Sequence, residues 1–137
     1  MRIYLDNAAT TPLCEEAIEA MLPLMRNHFG NPSSIHAEGR TVRAAIEDAR
    51  KKVARSLGAS IGEIFFTSGG TESNNMALKC AVRDLGVRRI ISSPTEHHCV
   101  THTLDVLENE SVTVQLVQVD ERGRIDFDDL ERLLGIP

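Results

Sequence analysis

Apolar residues recur at helical spacing in the first part of the chain, at Ile18, Met21, Leu22 and Met25 and again at Val42, Ala45, Ile46, Ala49 and Val53. Pro23 is expected to break the first run into a helix and a following turn, because proline lacks the N–H that a helix interior needs. The second helix is expected to end near Leu57-Gly58, with the glycine free to take the left-handed cap. Between them, Gly30-Asn31-Pro32-Ser33-Ser34 reads as a loop. The pattern then alternates. Ile64-Phe65-Phe66-Thr67 predicts a buried strand, and Leu78, Ala81, Val82 and Leu85 predict the inward face of a helix. Arg89-Ile90-Ile91-Ser92 predicts the next strand. Ser93-Pro94-Thr95-Glu96 has the form of a capping box with proline at the first helical position, ahead of an apolar stripe at Val100, Leu104 and Leu107. Thr113 to Val117 predicts a third strand, Gly123 a turn, and Leu130, Leu133 and Leu134 a short closing helix. Strands separated by helices pair in parallel, so the expected class is α/β.

Composition narrows the function classes. The 137 residues are 42% hydrophobic, enough for one compact domain with a core. The formal net charge of -5 disfavours a nucleic-acid partner, because the short basic runs at Arg50-Lys51-Lys52 and Arg88-Arg89 are offset by carboxylates. No apolar run is long enough to span a bilayer, and the acidic Asp6 comes too early for a secretory signal. Cytoplasmic location is therefore the expectation. Three cysteines, Cys14, Cys80 and Cys99, form no C-x-x-C pair and fit a reducing compartment. Cys14 and Cys80 are expected to be buried structural thiols, and Cys99 is the most plausible reactive one.

Two segments carry candidate chemistry. Ser68-Gly69-Gly70-Thr71 follows an expected strand and opens an expected helix, a placement that presents backbone N–H groups at the positive end of a helix dipole and suits a phosphate. A tight turn with a hydroxyl cap is the plainer alternative. His97, His98, Cys99 and His102 form the second cluster. With Val100, Leu104 and Leu107 facing inward, the helical period turns His98 and His102 outward and His97 inward, and no H-E-x-x-H order is present, so no metal site is expected. An inward imidazole can stack on an aromatic cofactor and exchange protons.

These residues also compose a family signature. Tyr4-Leu5-Asp6-Asn7-Ala8-Ala9-Thr10-Thr11-Pro12, then Phe29-Gly30-Asn31-Pro32-Ser33-Ser34 with His36 and Gly39-Arg40, resemble the opening of the NifS/IscS-type cysteine desulfurases. Phe66-Thr67-Ser68-Gly69-Gly70-Thr71-Glu72-Ser73-Asn74-Asn75 and Thr95-Glu96-His97-His98 resemble the next two segments of that family, in the same order. The resemblance runs from Tyr4 to about Leu134.

It implies a fold type I pyridoxal 5'-phosphate enzyme, with residues 1–14 joining the small domain and 15–137 forming the first part of the large, cofactor-binding domain. Gly70 and Thr71 match the positions that hold the cofactor phosphate, and His97 matches the histidine that stacks on the pyridine ring and moves protons. The implied reaction removes sulfur from L-cysteine, leaving alanine and an enzyme persulfide for iron-sulfur cluster assembly or sulfur transfer. Implied partners are a sulfur-acceptor or scaffold protein and, in the full-length enzyme, a second copy. The family's cofactor-carrying lysine and persulfide-forming cysteine fall downstream of this stretch, and Lys51, Lys52 and Lys79 lack the expected context, so the chain alone is expected to be inactive. The rivals are another fold type I enzyme, such as a selenocysteine lyase, or a non-catalytic remnant that binds an intact desulfurase.

Overall fold

The computed structural model describes residues 3–135; the Met1-Arg2 start and Ile136-Pro137 end lie outside the described residues. Two compact units are formed, Met1–Phe65 and Phe66–Pro137.

The first unit is helical. Helix α1 spans Glu15–Asn27 and runs through Pro23, where a break was expected. Proline removes a single N–H, and on this exposed helix the carbonyl left without a partner can be hydrated. The ladder resumes at once beyond it, with the His28 N–H reaching the Leu24 carbonyl at 3.0 Å. Helix α2, Ala37–Leu57, ends as its sequence predicts: Gly58 has φ 64° and its N–H bonds the carbonyls of Ala54 and Arg55. The loop at residues 30–34 lies against the first turn of α2, where Gly39 is buried. A short 3-10 turn at Ile61–Glu63 is held by a capping box between Ser60 and Glu63. The four residues that follow form no strand. Ile64 to Thr67 are not paired in a sheet, and Phe65 and Phe66 are 70% and 51% exposed. A strand is stabilised by a ladder, and the ladder among the described residues joins two other segments, Arg89–Ser92 and Thr113–Leu116.

The second unit has the expected βα order. Helix α3 is Gly70–Arg83, strand β1 Arg89–Ser92, helix α4 His98–Asn109, strand β2 Thr113–Leu116 and helix α5 Phe127–Leu134. β1 and β2 pair in parallel, with Arg89 opposite Thr113 and Ser92 opposite Leu116. The α/β class therefore holds, in a two-stranded sheet among the described residues. The core is Val82, Leu107 and Val112, with Leu78 and Ile90 packed against them. Leu85, placed by its spacing on the inner face of α3, lies beyond the helix end and is 80% exposed. Ser93-Pro94-Thr95-Glu96 caps no helix: the Ser93 hydroxyl accepts the Thr95 N–H in a turn, and α4 begins at His98. None of the described helices is long and apolar enough to cross a membrane.

At the start of α5, Asp126 accepts the N–H groups of Asp128 and Asp129. Asp129 is buried, and its carboxylate accepts the Gln118 N–H at 2.9 Å and the Arg132 guanidinium at 2.6 Å. These bonds, the Gln118 N–H first, hold the Asp129 carboxyl below its ordinary value. A depressed folded-state value adds stability that is present above the ordinary carboxylate range and lost as pH falls through the lowered one. Melting temperature measured down that acid range is therefore expected to fall less steeply in Asp129→Asn than in the native chain; parallel curves would assign the acid loss elsewhere.

Candidate active site

The turn into α3 leaves its first N–H groups open. Gly69 precedes the helix in an extended conformation and supplies no side-chain cap, so the N–H groups of Gly70, Thr71 and Glu72 have no intrahelical acceptor. Side chains brace the loop from behind. The Thr67 hydroxyl bonds the Gly69 carbonyl at 3.2 Å and the Ser73 hydroxyl at 2.7 Å. Glu72 turns back to accept the Ser68 N–H at 2.6 Å, and this bond, followed by the Ser68 hydroxyl, keeps the Glu72 carboxyl below its ordinary value. A Cβ added at Gly69 or Gly70 would meet nothing within 4 Å. The space in front of the helix end is therefore open, and it is bordered by uncapped donors. This donor set fits a phosphate group.

Helix α4 begins beside this end of α3. His97 is its N-cap rather than an inward residue of the helix, and its Nδ1 accepts the Cys99 N–H at 3.1 Å. The correction follows from where α4 starts: one residue outside the helix, His97 is not bound by the helical period. With Nδ1 occupied as an acceptor, a neutral ring carries its hydrogen on Nε2. His97 is exposed, as are His98 and His102. The His98 and His102 rings stack with centroids 5.5 Å apart, and the His97 and His98 centroids are 6.1 Å apart. The three histidines do not divide into an inward and an outward set. All three line one open concavity of about 450 Å³, together with Thr71, Asn75 and Lys79 of α3.

The expected phosphate-binding position Thr71 and the expected ring-stacking residue His97 thus share one concavity, and Gly70 sits at the helix end beside it. Lys79 and Asn75 were missed by sequence reasoning. Their signal was the spacing Thr71, Asn75, Lys79, one helical turn apiece on a single face. Asn74 was also missed. Its side-chain amide donates to Cys99 Sγ at 3.1 Å, tying α3 to α4 at the half-buried thiol. Cys14 and Cys80 are both exposed, against the expectation of buried thiols. Cys80 lies off the core-facing side of α3 that Val82 occupies, and its hydrogen bond to Asp84 pushes its thiol above the ordinary value. Among the described residues, no group of three or more His, Cys, Asp or Glu side chains is arranged to hold a metal ion.

The chain is similar to known proteins over nearly its whole length. The chain is 50% identical over 134 residues to a cysteine desulfurase IscS of Dictyoglomus turgidum, covering 96% of this chain and 34% of the relative. It is also 50% identical over 135 residues to a cysteine desulfurase IscS of Methanosarcina thermophila, covering 96% of this chain and 33% of the relative. Among solved structures, a NifS-like protein superposes with a TM-score of 0.88 at 41% identity, over 97% of this chain and 37% of that one. SspA, solved in complex with cysteine, superposes with a TM-score of 0.81 at 35% identity, over 91% of this chain and 37% of that one. The chain spans about a third of the length of the curated relatives it matches. The aminotransferase class-V family model matches residues 3–136, and the chain belongs to that family.

Proposed function

We propose that this chain supplies the cofactor-phosphate end of the active site in a pyridoxal 5'-phosphate-dependent cysteine desulfurase. The observation that carries the reading is the shared concavity: the uncapped α3 terminus at Gly70 and Thr71 opens beside a histidine whose Nε2 is free to carry a proton. The likeness to IscS desulfurases and to a neighbour solved with cysteine supports L-cysteine as substrate. Gly70 and Thr71 would hold the phosphate through backbone N–H groups and the Thr71 hydroxyl. Bound there, pyridoxal phosphate would supply an electron sink for charge that develops on the carbon bearing the amino group of cysteine. His97 would stack on the ring and move a proton at Nε2, with the Cys99 N–H on Nδ1 fixing its orientation. Residues 1–14 join a small domain and 15–137 form the first part of the large one. The lysine and persulfide-forming cysteine come from other parts of the full-length enzyme, a cytoplasmic homodimer that hands sulfur to an acceptor or scaffold protein.

The test joins this chain to the remaining two-thirds of an IscS relative and measures bound pyridoxal phosphate by absorbance. Thr71→Ala is expected to weaken cofactor retention about tenfold, by loss of one donor to an anion. Excess cofactor should restore alanine formation. Gly70→Ala should leave the melting temperature unchanged or raised, since its Cβ meets open space, yet weaken retention because that space is where the phosphate approaches. Full retention in both variants would move the phosphate away from this helix end.

A further inference from the structure

Lys79 has no role in the reading above, yet its position is unusual. It is half-buried on α3, in a concavity whose lining contains no aspartate or glutamate. The chain as a whole has 20 acidic residues against 15 basic ones, yet none of the acidic side chains lines this concavity. Among the described residues, the Lys79 side chain takes part in no ion pair or hydrogen bond. Its ammonium meets no carboxylate in this concavity, and an oxyanion from outside the chain can make the charge-assisted hydrogen bond that no side chain here makes. Across the groove, His98 and His102 present their stacked rings, and Asn75 lies one turn from Lys79 on α3. Each ring can donate an N–H.

We propose that the groove between α3 and α4 contains an anion subsite anchored on Lys79, with His98 and His102 as its opposite wall, that takes the phosphate or carboxylate group of a small molecule. Its centre is displaced from the α3 terminus within the same concavity: Lys79 lies eight residues beyond Thr71, about 12 Å along the helix.

The experiment is an amide and side-chain NMR titration of the full 137-residue chain with orthophosphate, and in a second arm with acetate, at ionic strength held constant with chloride. A saturable response at Lys79 and at His98 and His102 in either arm is expected, and the responding arm identifies the oxyanion. Lys79→Gln should weaken it at least about tenfold, as loss of a charge-assisted bond does, and Lys79→Arg should restore it. His102→Gln tests the opposite wall independently of α3 and should also weaken binding. A response that does not saturate, or one that Lys79→Gln leaves unchanged, overturns the proposal. So does a response confined to the amides of residues 70–72, which would put the anion on the helix end while leaving the cofactor reading intact.

Discussion

In the enzyme assembled from this chain and the rest of an IscS relative, His97→Asn is expected to retain pyridoxal phosphate and to lose turnover by about 10² or more. Asparagine is the informative replacement because His97 is also the N-cap of α4, accepting the Cys99 N–H through Nδ1. An Asn side-chain oxygen can take over that capping bond, whereas it can neither stack as an aromatic ring nor carry a proton as Nε2 does. His97→Ala loses both roles, and its cap alone costs about 1 kcal/mol of helix stability. The comparison therefore separates chemistry from scaffolding. If His97→Asn turns over like the native enzyme while His97→Ala does not, His97 serves only to cap α4. If both turn over normally and His98→Ala does not, the proton-moving residue is His98, whose ring lies 6.1 Å away. Added cofactor should rescue neither His97 variant, in contrast to Thr71→Ala.

The features legible in the sequence are those set by neighbours in the chain. The left-handed glycine after Leu57, the βα alternation beyond Gly69 and the short closing helix α5 all depend on patterns within a few residues. The features that misled depend on distant partners. Ile64 to Thr67 has strand composition, but extended backbone is assigned to a sheet only by a neighbouring ladder. Pro94 has the form of a helix opener, yet the Ser93 hydroxyl spends its acceptor on the Thr95 N–H, and the helix starts only after His97 provides a second cap. That shift placed His97 outside the periodic stripe used to orient it. Gly70, Thr71 and His97 were singled out by motif, and Thr71 and His97 do line one concavity, whereas the place of Lys79 in it emerged only when α3 and α4 were packed together.

Gly39→Ala is expected to lower the melting temperature of the chain by about 5 °C or more, the scale of a clash costing about 1–3 kcal/mol in a small unit. Gly39 lies in the first turns of α2, where alanine would otherwise be favoured over glycine by up to about 1 kcal/mol, so the steric clash must decide the sign. A Cβ there would sit 2.5 Å from the Asn31 carbonyl oxygen, 2.7 Å from that of Ser34 and 2.9 Å from the Ser34 Cβ. Two of these neighbours are backbone, and the loop that carries them has little freedom to retreat. The Ser34 N–H is bonded to the Asn31 carbonyl at 3.0 Å, the Ser33 N–H to Asn31 Oδ1 at 2.9 Å, and the Arg43 guanidinium holds the Pro32 carbonyl at 2.7 Å. The packing is reciprocal, since a Cβ on Gly30 would sit 2.5 Å from the carbonyl carbon and oxygen of Glu38. Gly62→Ala provides the control, because its added Cβ meets nothing within 4 Å. Thermal unfolding followed by circular dichroism compares the two. Should Gly39→Ala melt at or above the Gly62→Ala temperature, the loop yields to the methyl group and is not locked against α2.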